Sequence, residues 1–104
     1  MKQEAAGVLT EEKLKEALHD LPGWSGNEKG LQKTIRFENF RTAMQFMQDC
    51  VSGIESRNHH PVWCNTYNKL DIRLDTADAG HRVTQKDVEL AHYFESVLGN
   101  YSWQ

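Results

Sequence analysis

The amino-acid sequence predicts an α+β fold in which three helices pack on one face of a four-stranded antiparallel sheet. Three segments, 10–20, 39–57 and 84–99, repeat apolar residues every three or four positions, as amphipathic helices do. Between them, shorter segments alternate apolar and polar residues, most clearly 31–37 and 70–74, as strands with one buried face do. Helices gathered on one side of the sheet would bury every apolar stripe, in the order α-β-β-α-β-β-α.

Size and charge restrict the classes of function. A chain of 104 residues forms one domain, 1–104, and residues 1–9 are expected to be a flexible N-terminus. Twelve Lys and Arg against fifteen Asp and Glu leave a net charge of −3, which argues against direct nucleic-acid binding because that needs a basic surface. No apolar run approaches the roughly 20 residues of a membrane span, and no secretory signal is recognised. We therefore expect a cytoplasmic protein.

The first half of the chain is predicted to form a helix, a hairpin and a second helix. Thr10 can cap the first helix and acidic residues follow it, whereas Pro22-Gly23 ends the helical pattern. Residues 26–30 would connect the two strands of the hairpin. The second helix is expected over 39–57. The apolar stripe predicted to face the core from this helix consists of Phe40, Ala43, Met44, Met47, Cys50, Val51 and Ile54.

The second half is predicted to form a second hairpin and a last helix. Alternation resumes at Trp63 after Pro61, and Asn68-Lys69 would supply a tight turn before the next strand. Thr84 and Asp87 have the spacing of a capping box ahead of an apolar helical run, so we predict a structural role for both.

Cysteine and histidine indicate where chemistry could lie. Cys50 and Cys64 do not form a Cys-x-x-Cys pair, and two structural thiols in a reducing compartment are the simplest interpretation. Histidine is the one side chain whose unperturbed pKa lies near neutrality. The chain has five: His19, His59, His60, His81 and His92.

The densest polar segment runs from Glu55 to Trp63 and contains His59-His60-Pro61. Pro61 restricts His60 to an extended backbone, so the two imidazoles should point in different directions. Glu55 could orient one of them. Two other interpretations remain open: a polar loop that happens to contain two histidines, and a zinc site. Zinc ligands would be His59 or His60 with His81 and His92, but no zinc-enzyme spacing is present and adjacent histidines are awkward co-ligands.

The two histidines belong to a longer pattern of residues. Its central positions are Glu55, His59, His60, Pro61, Trp63, Asn65, Tyr67, Asn68, Leu70, Ile72, Leu74 and Thr76. It continues upstream at Leu21-Pro22-Gly23-Trp24 and downstream at Thr84, Asp87 and Leu90-Ala91. This pattern resembles that of the pterin-4a-carbinolamine dehydratases, and the resemblance covers nearly all of the chain from Leu14 onward.

The resemblance implies the dehydration of 4a-hydroxytetrahydrobiopterin to quinonoid dihydrobiopterin and water, in tetrahydrobiopterin recycling. It implies histidine acid–base catalysis without a metal or other cofactor. His59 and His60 match the paired catalytic histidines of the family, with Glu55, Trp63 and His81 as supporting positions. The expected substrate-binding residues are His59, His60, Pro61, Thr76, Ala77, Asp78 and Ala79.

The sequence departs from the family pattern at one place. The family usually has Thr-His where this chain has Thr76-Ala77, and the loop that follows is one residue longer and contains His81. Either His81 replaces the third histidine or the site works with two. The resemblance also implies a homodimer or homotetramer. It offers an alternative function as a non-catalytic dimerisation cofactor of a transcription factor, which would add a nuclear location.

Overall fold

The computed structural model describes residues 7–101, and it confirms the α+β class and the order of the elements. The strands form one antiparallel sheet in the order β1-β2-β4-β3, so β1 and β3 are its edges. The helices are α1 (Glu11–His19), α2 (Phe40–Arg57) and α3 (Gln85–Leu98). The strands are β1 (Ser25–Asn27), β2 (Gly30–Arg36), β3 (Val62–Thr66) and β4 (Lys69–Leu74), and a short 3₁₀ helix follows at Ala77–Ala79.

Each helix begins at a polar side chain that accepts a hydrogen bond from the first turn. Thr10 accepts from the Lys13 amide at 3.2 Å, and Asn39 accepts from the Thr42 amide at 2.8 Å. These contacts satisfy amide groups that have no partner within the helix. Thr84 begins α3, and its capping box is confirmed.

Both hairpins turn over two residues, which corrects the predicted connections. The first is shorter than 26–30, because Asn27 pairs with Gly30 and the Asn27 side chain accepts from the Lys29 amide at 2.8 Å. The second lies one residue earlier than Asn68-Lys69, because Lys69 already pairs with Thr66. Tyr67 has a φ of +53° there, a conformation that sequence alternation does not reveal.

The sheet is apolar on the face that the helices cover. Residues of β2 and β4 alternate between buried and more exposed positions, and Trp63 of β3 packs against Phe94 of α3 with ring centroids 6.0 Å apart. One charged residue belongs to this face: Lys33 is 3% exposed. Its Nζ donates to the Glu95 carboxylate of α3 at 2.7 Å, so the charge is paired where it is buried.

The buried face of α2 differs from the predicted stripe. Phe40, Met44 and Val51 are 48%, 36% and 42% exposed, so their predicted place in the core was wrong. Helix α2 contacts α3 as well as the sheet, and Gly53 lets the Tyr93 ring approach the helix backbone, where a Cβ atom would overlap the ring. The prediction is confirmed for Ala43, Cys50 and Ile54, which are buried, and it missed Phe46 and Gly53, which are buried as well.

The N-terminal segment is anchored in the part that the structure describes. Residues 1–6 of the segment expected to be flexible lie outside the described residues. Val8 forms an isolated antiparallel bridge with Thr84, and the Leu9 amide donates to the Val83 carbonyl at 3.1 Å. Within residues 7–101, no helix has the length and apolar character needed to cross a membrane.

The two cysteines should differ sharply in reactivity. Both are free; Cys50 is buried in α2, whereas Cys64 is exposed on the edge strand β3. Burial raises the pKa of the Cys50 thiol to about 12, and the Asp49 carboxylate contributes to the shift. Since the thiolate is the reactive form, we expect a disulfide reagent at mildly alkaline pH to modify only Cys64 in the folded protein. Cys64→Ser should abolish this reaction and Cys50→Ser should not; rapid modification of folded Cys64→Ser would contradict the prediction.

Candidate active site

A cleft of about 260 Å³ lies where the α2–β3 connection meets the end of β4 and the loop that follows. This volume lies just below the usual range of small-molecule pockets, about 300–1,000 Å³. We call it the histidine cleft. Its walls consist of Asn58, His59, His60, Val62, Arg73, Asp75, Ala77, Asp78 and His81.

Helix α2 ends abruptly at Asn58, directly before the two adjacent histidines of the cleft. Asn58 is left-handed, with φ 49° and ψ 41°, and its amide donates to the Glu55 carbonyl at 3.0 Å. Asparagine adopts this conformation more readily than most residues. Pro61 then precedes β3. His59 and His60 are therefore held between a helix cap and an edge strand.

His59 is fixed by a buried carboxylate. Its side chain is 11% exposed, and its Nε2 lies 2.6 Å from Oδ1 of Asp87, which is fully buried. A carboxylate is an acceptor, so Nε2 carries the proton of this hydrogen bond. Nδ1 is consequently the nitrogen left for other partners, and the buried acceptor fixes both the tautomer and the ring orientation.

The second carboxylate oxygen of Asp87 accepts hydrogen bonds from two further chain segments. Oδ2 accepts from the Thr84 amide at 2.9 Å and from the Thr76 hydroxyl at 2.8 Å. The Thr84 hydroxyl lies 2.7 Å from that of Thr76. With the Thr76 proton directed at Asp87, the Thr84 hydroxyl donates to Thr76. Every polar atom of this buried cluster therefore has a partner, as a buried carboxylate requires.

His60 is held more loosely. Its Nε2 lies 3.1 Å from the Glu55 carboxylate, and the two side chains are 53% and 68% exposed. Exposed ion pairs of this kind contribute about 0–1 kcal/mol. Glu55 orients His60 rather than His59, and His60 is free to exchange protons with solvent.

His81 reaches the cleft from the opposite chain segment. Its Nδ1 lies 3.0 Å from Oδ1 of Asp75, whose side chain is 19% exposed. His81 itself has a φ of +60°. All three histidines of the cleft therefore contact a carboxylate.

The structure brings together some of the predicted site residues and separates others. His59, His60, Ala77, Asp78 and His81 line the cleft. Five predicted residues do not form its wall. Thr76 is buried beneath it, Trp63 is partly buried and packs against the core, Pro61 and Ala79 are half-buried, and Glu55 is exposed and contacts His60.

Sequence analysis missed the group that holds His59. The role predicted for Asp87 in the capping box is confirmed. The other carboxylate oxygen of such a box can accept a hydrogen bond from a distant segment. The residues near Asp87 in the sequence do not identify that donor. Arg73 and Asp75 were also missed, because they alternate with buried residues of β4 as ordinary exposed residues do.

The remaining histidines lie elsewhere. His92 borders a different cavity, between α1 and α3, and His19 is exposed at the end of α1. Among residues 7–101, no group of three His, Cys, Asp or Glu side chains could hold a metal ion. The structure therefore does not assemble the zinc site that combined His81 and His92.

Asp87→Asn should move the proton of His59. The amide oxygen can still accept from Thr84 and Thr76, but the amide nitrogen would then face Nε2 and require it to accept. We expect ¹⁵N NMR to show the proton on Nε2 in the parent and on Nδ1 in the variant, with a stability loss of about 1–3 kcal/mol because a charged acceptor is lost. Glu55→Gln, on the exposed neighbour, is the control and should change neither quantity for His59. An unchanged tautomer in Asp87→Asn would refute this account.

The sequence of this chain is similar to those of known proteins over nearly its whole length. The family model described as pterin 4 alpha carbinolamine dehydratase matches residues 7–97. Two bacterial proteins are similar in sequence to this chain, and both are named as pterin-4-alpha-carbinolamine dehydratases. The Opitutus terrae protein is 46% identical over 90 residues, covering 86% of this chain and 93% of its own. The Sinorhizobium fredii protein is 44% identical over 85 residues, covering 80% of each.

A solved structure extends the similarity to three dimensions. The crystal structure of a transcriptional coactivator/pterin dehydratase from Brucella melitensis superposes with a TM-score of 0.80 at 33% identity, over 86% of this chain and 96% of that one. The family match reaches into every secondary-structure element and includes all the residues of the histidine cleft. The chain belongs to the pterin-4a-carbinolamine dehydratase family.

Proposed function

We propose that this protein dehydrates 4a-hydroxytetrahydrobiopterin to quinonoid dihydrobiopterin and water by histidine acid–base catalysis. Family membership supports the reaction class. The observation that carries the proposal is the 2.6 Å contact between His59 and buried Asp87 at the wall of a small cleft that also contains His60. A carboxylate that fixes an imidazole for proton transfer is a recurrent catalytic arrangement.

The reaction needs two proton transfers and no change of oxidation state. The bond between C4a and the hydroxyl oxygen breaks, and the departing oxygen takes up a proton to leave as water. A ring nitrogen loses a proton, and its electrons form the new double bond. Because the nitrogen lone pair assists departure of the hydroxyl, acid–base assistance of about 10²–10⁴-fold is what the protein has to add.

The two histidines suit different halves of this exchange. In its neutral form His59 carries its one proton on Nε2, towards Asp87, and Nδ1 is then an acceptor, so we assign it the removal of the ring-nitrogen proton. His60 is exposed and its contact with Glu55 is weak, so we assign it the proton that departs with the hydroxyl. Each imidazole ends in the state from which the other began, and exchange with solvent restores both.

The proposal requires neither a metal nor a redox cofactor, since both protons move between imidazole and substrate. We also propose a cytoplasmic location, where the tetrahydropterin cofactor of a hydroxylase would be recycled after use. Ala77 and Asp78 border the cleft and are proposed to contact the pterin ring. Thr76 would act through Asp87 instead.

Removing either histidine should slow dehydration of a 4a-hydroxypterin generated in solution. We expect His60→Ala to reduce the rate by about 10²-fold with no loss of folding, because its side chain is exposed. His59→Gln should reduce the rate at least as much. Glutamine is chosen there because it can still donate to Asp87, whereas alanine would leave the buried carboxylate short of a donor. The loss of absorbance of the 4a-hydroxypterin measures the rate.

His92→Ala is the matched control, because His92 is an exposed histidine of α3 outside the cleft, and it should dehydrate at the parent rate. All reactions are run with a chelator present. A parent protein that does not accelerate dehydration, or two cleft variants that retain the parent rate, would overturn the proposed function. Activity that is lost with the chelator and regained with zinc would overturn the metal-free mechanism.

A second candidate function is protein binding through the outer face of α2. Phe40, Met44 and Val51 follow one another on one side of the helix and are all exposed. A contiguous exposed apolar patch can mark an interface. The solved Brucella relative is named a coactivator as well as a dehydratase. The partner we propose is a second copy of this chain. The charged residues between Phe40 and Val51 in the sequence, Arg41 and Asp49, lie outside the row at helical spacing, so apposition of two rows around a two-fold axis brings no like charges together within them.

Val51→Glu should convert a homo-oligomer into smaller species, because it would place two carboxylates at the two-fold contact. Sedimentation velocity measures this change. Gln45→Glu adds the same charge to an exposed position of α2 outside the row and should leave the mass unchanged. A parent protein that sediments as a monomer would show that a second copy is not the partner.

A further inference from the structure

We propose that Arg73 gives the histidine cleft a preference for pterins whose side chain carries an anionic group, a phosphate monoester or a carboxylate. This inference rests on the proposed dehydration and concerns only the substituent of the pterin ring, so the reaction itself is unchanged. Three observations support it: the cleft borders a second cavity on the sheet, Arg73 lines both cavities, and its guanidinium has no partner in the part of the chain that the structure describes.

The second cavity is a groove of about 340 Å³ on the sheet face that the helices leave open. We call it the sheet groove. It crosses the adjacent strands β2, β4 and β3, at positions that alternate with the more buried residues of those strands. The side chains of its wall that belong to the open face are Gln32, Thr34, Val62, Cys64, Asp71 and Arg73.

The sheet groove and the histidine cleft share two wall residues, Val62 and Arg73, which lie opposite each other on β3 and β4. The cleft alone is smaller than most small-molecule pockets, whereas the two cavities together fall within the usual range. A pterin ring placed against His59 and His60 can therefore extend its side chain past Val62 and Arg73 into the groove.

The Arg73 guanidinium leans along the sheet towards the cleft. Arg73 pairs with Gln32 of β2, but its guanidinium lies over Gly30, where a Cβ atom would be 2.9 Å from Nη2 and 3.0 Å from Cζ. Gly30 allows this approach because it has no side chain. Since Leu31 pairs with Leu74, position 30 lies beside the end of β4, and the cleft lies at that end.

The charge of Arg73 is available to a ligand. Within residues 7–101, its guanidinium forms neither a hydrogen bond nor an ion pair. Asp71, which lies on the same face of the groove, is already engaged: the Thr34 hydroxyl donates to its Oδ1 at 2.5 Å, and the Lys69 Nζ lies 3.8 Å from its Oδ2. A guanidinium presents a rigid fork of N–H donors that matches two oxygens of a phosphate or a carboxylate.

The carboxylates of the cleft favour the groove side of Arg73 for such an anion. Asp75 and Asp78 line the cleft but not the groove. An anionic substituent inside the cleft would be repelled by them, because like charges at close range disfavour each other. Beyond Arg73, the groove presents the amide of Gln32, the hydroxyl of Thr34 and an Asp71 carboxylate whose charge Lys69 offsets.

The test compares 4a-hydroxytetrahydropterins that share one ring and differ in the side chain. One carries a trihydroxypropyl chain, one carries the terminal phosphate monoester of that chain, and one carries a chain that ends in a carboxylate. We expect the parent kcat/KM to be about tenfold higher for the phosphate or the carboxylate than for the neutral compound, because charge-assisted hydrogen bonds are strong but solvent weakens them at an exposed residue. The two anions show whether phosphate or carboxylate is preferred.

Arg73→Gln should bring this preference close to one, because it removes the charge from an exposed side chain. Arg73→Lys should keep part of it, since the charge stays and the fork is lost. Arg36→Gln is the matched control: it removes the same charge from an exposed position of β2 outside both cavities, and it should leave the preference at the parent value.

Binding of the corresponding fully oxidised pterins tests the same contact without turnover, because these compounds have no 4a-hydroxyl to lose. Quenching of pterin fluorescence measures Kd. The parent and Arg36→Gln should bind the anionic compounds about tenfold more tightly than the neutral one, and Arg73→Gln should bind all three alike.

The outcomes distinguish this inference from the proposed function. A preference that disappears in Arg73→Gln and survives in Arg36→Gln supports the inference. A parent that dehydrates all three compounds with equal kcat/KM overturns it and leaves the proposed function standing. A preference that survives in Arg73→Gln also overturns it, since another group then holds the anion. If the parent dehydrates none of them, the proposed function fails, and equal Kd values for the oxidised pterins would then overturn this inference as well.

Discussion

The buried carboxylate of Asp87 is the constraint on which the rest of the structure depends. It accepts hydrogen bonds from three separate segments: the α2–β3 connection through His59, the end of β4 through Thr76, and the start of α3 through Thr84. An unpaired charge at zero exposure would be strongly destabilising, so these segments have to converge for the carboxylate to be stable. The same contact that begins α3 therefore positions the first histidine of the cleft.

The three histidines of the cleft form a graded series. Their carboxylate partners range from fully buried to largely exposed, so the imidazoles range from firmly fixed to mobile. A fixed tautomer is useful to a group that must present one nitrogen to a substrate. A mobile, exposed imidazole can exchange its proton with water quickly. The site thus contains both a fixed imidazole and exposed ones, because its three histidines differ in solvent exposure.

Most predictions from sequence succeeded where the determining forces are local, although both hairpin turns were placed wrongly. Helix caps, strand alternation and the capping box depend on residues within a few positions of one another, and the structure confirms the elements they predicted. The predicted inward face of α2 was wrong at Phe40, Met44 and Val51, because apolar residues cover more of that helix than one contact can bury. Its packing against Tyr93 at Gly53 selects which side faces inward, and that partner lies on another helix.

The sequence by itself determined the fold class, the family resemblance and the adjacent pair His59-His60, because these follow from pattern and from neighbouring residues. Only the tertiary structure decided what each imidazole contacts. Asp87 and Asp75 look like a helix cap and an exposed strand residue in the sequence, and each becomes a histidine partner across an intervening element. The physical reason is that a hydrogen bond acts over about 3 Å, so its pairing depends on how distant segments pack and not on their separation along the chain.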